Sequence, residues 1–192
     1  MGPGDAALTV RAVLIVLGGL PGTGKTTIAH ALAVRLGAVH LRIDTIEQAL
    51  RTHAAVGAGV GIDIGPLGYV AAYGVAADNL RLGNRVIADC VNPVRATREA
   101  WRATAQRAGA RLVEVEIVCS DPEEHRRRVE TRRADIDGLR LPTWAEVTGR
   151  ACEPWDRPPP VIDTAGRTVE ACVAEMVRLA AVSPPSPKAG EG

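Results

Sequence analysis

Short runs of consecutive apolar, often β-branched residues alternate along this chain with longer stretches in which apolar positions recur every three or four residues. The first pattern is that of a strand buried on both faces, the second that of an amphipathic helix. Strands are predicted at 11–17, 39–43, 85–90, 112–119 and 161–163, and helices at 26–36, 45–53, 67–82, 94–108, 122–133, 143–150 and 168–181. Alternation of strand and helix builds a parallel sheet covered on both faces, so the expected class is α/β, a three-layer sandwich on a five-stranded parallel sheet. Residues 1–9, which contain Gly-Pro-Gly, and the Pro/Gly/Ser-rich segment 183–192 fall outside the pattern. They are expected to be flexible tails around one domain spanning 10–182.

Composition narrows the partners. A chain of 192 residues that is 46% hydrophobic has enough apolar side chains for its own core. Its net charge of +1 supplies no electrostatic footprint for nucleic acid or an anionic membrane, and 3% aromatic content is poor for stacking on bases. Cys90, Cys119, Cys152 and Cys172 are isolated, so neither a zinc site nor a disulfide framework is expected and a reduced cytoplasmic setting is the default. The apolar run 13–20 is too short to span a bilayer, which argues against a signal peptide or an anchor. Nothing in the sequence fixes the oligomeric state.

The first predicted strand and helix are joined by Gly19-Leu20-Pro21-Gly22-Thr23-Gly24-Lys25-Thr26, a complete G-x-x-x-x-G-K-[ST] phosphate-binding loop in the order strand, glycine loop, helix. In that order the backbone N–H groups around Pro21, Gly22, Thr23 and Gly24 wrap a phosphate at the positive end of the helix. Lys25 reaches the β- and γ-phosphates, Thr26 ligates Mg²⁺, and Thr27 continues the helix start beside the nucleotide. Lys25 is also the only lysine besides Lys188, every other strong cation being arginine. An arginine-biased composition accounts for the depletion; retention at this one position fits the need for a compact ammonium. The expected fold is therefore that of the P-loop nucleoside-triphosphate hydrolases, with ATP or GTP as ligand.

Residues at strand ends come next, because ligands of open α/β sheets sit beyond the carboxyl ends of the strands. Asp44, Asp89 and Asp163 each close a predicted strand. Asp89 is assigned to Mg²⁺ through water, and Asp44 to the acceptor hydroxyl that attacks the phosphate. Asp44 also precedes a helix and would serve as its N-cap, and Asp163 reads as a cap or turn residue. The stretch 121–150 is the expected lid. Its Arg128 and Arg132 are four apart and are expected to share a helix face that clamps phosphates, although a solvated, salt-bridged helix carries the same spacing. Arg51 and Arg98 are candidate acceptor contacts. Tyr69 and Tyr73, within the glycine-rich and aliphatic stretch 53–73, form a candidate acceptor wall; the alternative is a surface loop followed by two core tyrosines.

On these motifs the chain resembles the small P-loop kinases related to adenylylsulfate kinase and chloramphenicol phosphotransferase, a group that carries AAA-family ATPase and zeta-toxin-like labels. The resemblance covers nearly the whole body: the phosphate loop, the Arg42-Ile43-Asp44 strand end, Asn92-Pro93-Val94-Arg95-Ala96-Thr97-Arg98, Glu153-Pro154-Trp155 and Val161-Ile162-Asp163-Thr164. It implies transfer of the γ-phosphate of ATP or GTP to a hydroxyl of a small molecule, with Asp44 as the proposed base. Because the group includes self-resistance kinases such as capuramycin phosphotransferase, an antibiotic acceptor is one option, and an adenylylsulfate-type metabolic kinase or a regulatory P-loop NTPase are the others. Glu47 stands where adenylylsulfate kinases place an arginine, and the chain has no phenylalanine to stack on an acceptor adenine. Both departures point to a neutral acceptor.

Overall fold

The computed structural model describes residues 12–58 and 64–181. Its first strand, β1 (Val13–Gly18), is buried along its whole length and lies at the centre of a parallel sheet. The strands β2 (Val39–Arg42), β3 (Arg85–Asp89), β4 (Arg111–Val118) and β5 (Val161–Asp163) complete the order β2-β3-β1-β4-β5. All pairings are parallel, and β1 is in register with Arg85–Asp89 on one side and with residues 111–116 on the other. A strand flanked on both edges and covered on both faces has no polar side, which is why residues 13–17 are apolar without alternation.

The period of two along β1 divides the core. Val13, Ile15 and Leu17 meet α1 (Lys25–Leu36) and α7 (Val169–Ala181) through Ile28, Leu32, Val173 and Met176. Leu14 and Val16 face the other way, towards α3 (Leu67–Arg81) and α4 (Arg95–Arg107), where Ala72, Ala76, Leu80 and the fully buried Trp101 close the second layer. The remaining helices, α2 (Ile43–Ala58), α5 (Pro122–Thr131) and α6 (Trp144–Thr148), sit around the carboxyl end of the sheet. The three-layer α/β sandwich on five parallel strands is thus the fold expected from the alternating pattern.

Two boundaries differ from expectation, and both bear on the site. β2 stops at Arg42, and Ile43 opens α2, so Asp44 lies in the first turn of a helix rather than at a strand end. The β-branched Ile43 read as strand because it is buried, but it packs into the second core layer from the helix start. A carboxylate at this position is favoured by the positive end of the helix. The lid helix α5 ends at Thr131, and Arg132 is its extended C-cap with φ −63 and ψ 149. Arg128 and Arg132 therefore do not share a helical face. The tails 1–9 and 183–192, and residues 59–63 of the expected acceptor wall, lie outside the described residues.

Candidate active site

The loop between β1 and α1 is shaped by what surrounds it as much as by its own glycines. Gly19 has φ +131, and a Cβ there would lie 2.1 Å from the Ile117 carbonyl oxygen of β4. At Gly22, φ is +86 and a Cβ would lie 2.4 Å from Cγ2 of Val129 on α5. Inside the loop three donors converge on the Leu20 carbonyl: the Thr23 hydroxyl at 2.9 Å, the Thr23 amide at 3.5 Å and the Lys25 ammonium at 3.1 Å. Gly24 caps α1 with no side-chain acceptor, and the first turn of the helix carries no acid. Its amides are left for an anion. Gly22→Ala is expected to lower the melting temperature and to weaken nucleotide binding about tenfold or more, since left-handed backbone costs about 1–2 kcal/mol before the clash with Val129 is counted. Differential scanning fluorimetry with and without MgATP reads both effects.

Lys25 is buried, and burial pulls its pKa below the ordinary lysine value while the charges of Asp89 and Asp44 oppose the fall. Asp89, at the end of β3, is buried next to it. Burial alone would raise the Asp89 pKa, but contact with His40, the charge of Lys25 and the Thr26 hydroxyl outweigh it and hold the carboxyl below its usual range. The His40 Nε2 to Asp89 Oδ2 distance is 3.6 Å, and neither atom has a hydrogen-bond partner. An unsatisfied, ionised carboxylate oxygen beside the threonine hydroxyl suits Mg²⁺, which keeps most of its waters and takes few protein ligands. Thr26 and Asp89 fit that ion.

Asp44 is exposed; its charge works against the burial that lowers the pKa of Lys25 and of Arg132, and adds to the rise that Asp135 causes at Arg42. Arg132 is half-buried; desolvation lowers its pKa, its Nε has no partner, and it forms no ion pair among the described residues. Its charge is also felt at Lys25. The lid therefore brings one uncommitted guanidinium to the phosphate loop. What holds it there is a second arginine: Arg42, the last residue of β2, makes a two-pronged contact with Asp135 at 2.6 and 2.9 Å. A Cβ on Gly138 would come within 2.9 Å of the Gln48 side chain, so the segment after α5 lies on the start of α2. Asp135→Arg is expected to cut turnover about fivefold, about 1 kcal/mol of lost positioning, and the Arg42→Asp/Asp135→Arg double variant to regain most of it. Steady-state kinetics of both single variants and the exchange decide this.

Arg128 is placed differently. Its guanidinium donates to the Thr164 hydroxyl (2.8 Å), the Thr164 carbonyl (3.1 Å) and Glu124 (2.6 Å), and lies 3.8 Å from where a Gly24 Cβ would be. It borders the loop with a fixed orientation. Thr164 in turn donates to the Thr23 carbonyl at 2.9 Å, joining the end of β5 to the loop. His125 of α5 contacts the Pro21 carbonyl through Nε2 at 2.9 Å and packs edge-on against Trp144 of α6. Sequence reasoning singled out none of His40, Arg42, Asp135, His125 and Thr164 as a site residue. The Asp-Pro helix start and the Val-Ile-Asp-Thr strand marked the right elements, yet nothing in a single sequence says which face of α5 meets the loop. Asp163 is a turn residue, accepting from the Ser120 and Ala165 amides.

The acceptor contacts expected on α3 and α4 are turned elsewhere. Tyr69 accepts from the Asn92 amide, Tyr73 donates to the Thr97 carbonyl, and both pack with Trp101 in the second core layer, where burial drives both phenol pKa values up. They are the core tyrosines of the alternative reading. Arg98 is 1% exposed, stacks 4.5 Å over Trp155 and donates to the carbonyls of Glu153 and Pro154. It clasps the 153–155 segment. Arg51 is paired with Glu47 one helical turn before it at 2.8 Å.

With this geometry in view, residues 14–148 match the model of the AAA domain family known as AAA_33, and the chain belongs to that family. Solved structures of small P-loop kinases share its fold. The Mycobacterium tuberculosis adenylylsulfate (APS) kinase CysC in complex with AMPPNP and APS superposes with a TM-score of 0.61 at 16% identity, over 88% of this chain and 98% of the other. A gluconokinase from Sinorhizobium meliloti gives 0.59 at 19% identity over 88% and 93%, and the Deinococcus radiodurans tunicamycin resistance protein 0.62 at 20% over 91% and 100%. No curated protein matches the sequence significantly. No helix among the described residues is long and apolar enough to cross a membrane.

Proposed function

We propose that this protein is a small-molecule kinase that moves the γ-phosphate of ATP or GTP to an alcohol group. The observation that carries the reading is the convergence of Asp44, Lys25 and Arg132, a free carboxylate beside the phosphate-loop ammonium and an arginine without an ion pair. A nucleotide sensor has use for the lysine and for a Mg²⁺-side carboxylate such as Asp89; a further carboxylate, Asp44, beside the same loop suits an acceptor group that must lose a proton. The AAA_33 membership and the kinase folds among its neighbours support the same class.

In this reading the loop amides and Lys25 hold the β- and γ-phosphates, and Arg128, fixed against Thr164, borders the donor nucleotide at Gly24. Asp44 orients the acceptor hydroxyl and takes its proton as the new bond to phosphorus forms. Arg132 draws the charge that spreads over the transferring oxygens. When bound between Thr26 and, through water, Asp89, Mg²⁺ supplies charge neutralisation on the nucleotide. A test is mass spectrometry of metabolite and antibiotic pools incubated with the protein and ATP or GTP in parallel. Nucleoside antibiotics belong in those pools because the neighbours include a tunicamycin resistance protein. A pool component that gains one phosphoryl group is the expected result, and nucleotide hydrolysis at one rate with every pool, without any such product, would overturn the reading.

A further inference from the structure

Resting on that kinase reading, we infer that the acceptor is an uncharged polyhydroxyl compound and that it sits between α1 and the edge strand β2, not against α3. A cleft of about 540 Å³ opens there, reaching Thr26 at one end. Thr27 and His30 of α1, His40 and Arg42 of β2, and Thr45 and Ile46 of α2 line it. Register explains the composition: His40 and Arg42 lie on the same face of β2, two residues apart, where a strand inside the sheet would carry apolar side chains against α1. Here the edge is left polar, and the imidazoles of His30 and His40 stand with ring centroids 6.5 Å apart.

The lining supplies hydroxyl and imidazole groups, which both donate and accept, beside two apolar side chains, Leu41 and Ile46. One donor in it is buried and without a partner, Arg42 Nε, while His40 Nε2 lies 3.6 Å from the Asp89 carboxylate. Buried donors without partners are what a ligand's hydroxyl oxygens satisfy. The charge pattern excludes an anion. Arg42 is committed to Asp135, Arg51 to Glu47 and Arg95 to Glu99, while Arg98 is buried on carbonyls. The one guanidinium lining the cleft, Arg42, is spent on Asp135, Arg132 is left for the transferring phosphate, and Asp44, Asp89 and Asp135 would repel a sulfate, phosphate or carboxylate on the acceptor. The volume suits a molecule of about one or two sugar rings.

In the transfer the acceptor oxygen bonds to the γ-phosphorus, the bridge to the β-phosphate breaks with its electron pair leaving on the nucleoside diphosphate, and the hydroxyl proton passes to Asp44. The test uses the full chain with MgATP and two pooled libraries, neutral polyols (monosaccharides, cyclitols, nucleosides) and their anionic counterparts (sugar phosphates, sugar acids, adenylylsulfate). Products are read by mass spectrometry and kcat/KM by coupled ADP release. Expected is a neutral product with kcat/KM about 100-fold above any anionic one, the discrimination a buried uncompensated charge produces. His30→Leu and Thr45→Val should each raise KM for that acceptor about tenfold, the effect of one lost hydrogen bond, with Thr45→Ser restoring it and affinity for MgADP unchanged. Preferred phosphorylation of an anion overturns the inference and leaves the kinase reading standing. Unchanged KM in both cleft variants removes the acceptor from this cleft. Hydrolysis without transfer to either library counts against the kinase reading itself.

Discussion

Lys25→Ala lowers phosphoryl transfer by about 1,000-fold, the scale on which a preorganised charge at the reacting phosphate acts. The ammonium is 7% exposed and is held by a 3.1 Å hydrogen bond to the Leu20 carbonyl, and no other lysine lies among the described residues to replace it. The loop itself survives the change, because Thr23 still donates twice to that carbonyl. Burial already disfavours the charge on Lys25. Without nucleotide, therefore, the variant is as stable as the wild type or more so, while stabilisation by MgATP is lost. Lys25→Arg does not restore transfer, since a planar guanidinium is too large for a site that admits a compact ammonium. Thermal melts with and without MgATP, alongside turnover, read both halves. A variant that keeps its nucleotide-dependent stabilisation and its activity would remove the lysine from the site.

Asp44→Asn comes second, with kcat expected to fall between about 100- and 10,000-fold while nucleotide affinity stays near wild type. Asparagine keeps the shape of the side chain and cannot take a proton. The contrasting role is structural: a carboxylate in the first turn of α2 favours the helix by about 0.3–1 kcal/mol, and its loss would lower the melting temperature slightly and leave kcat alone. The two roles move different observables. A modest melting shift with turnover intact would make Asp44 a helix-start residue only.

The fold was legible because burial on both faces writes itself into β1 and β3 as apolar runs and burial on one face into β4 as an alternating one, and the loop that follows β1 has a spacing with a mechanism behind it. Position at a strand end was legible less well. Arg42-Ile43 reads as strand with Asp44 closing it, yet the chain turns helical at Ile43, so Asp44 lies in the first turn of α2. Pairing across the fold was not legible at all. Arg42 and Asp135 are 93 residues apart, and nothing in the sequence links the two. Tyr69 and Tyr73 show the opposite failure: two aromatics one turn apart look like a binding wall, but a largely aliphatic core uses them, with Trp101, as filling. The acceptor side consequently shifts from α3 to the polar edge of β2.

Transfer as opposed to hydrolysis is tested most directly by following the label from γ-labelled ATP with the acceptor pools present, in the wild type and in Asp44→Asn. For the wild type the expectation is one labelled organic phosphate for each ADP formed, and for Asp44→Asn bound nucleotide with little product of either kind. Label released only as inorganic phosphate, at a rate indifferent to every pool and to the Asp44 substitution, would contradict a kinase built around Lys25, Asp44 and Arg132.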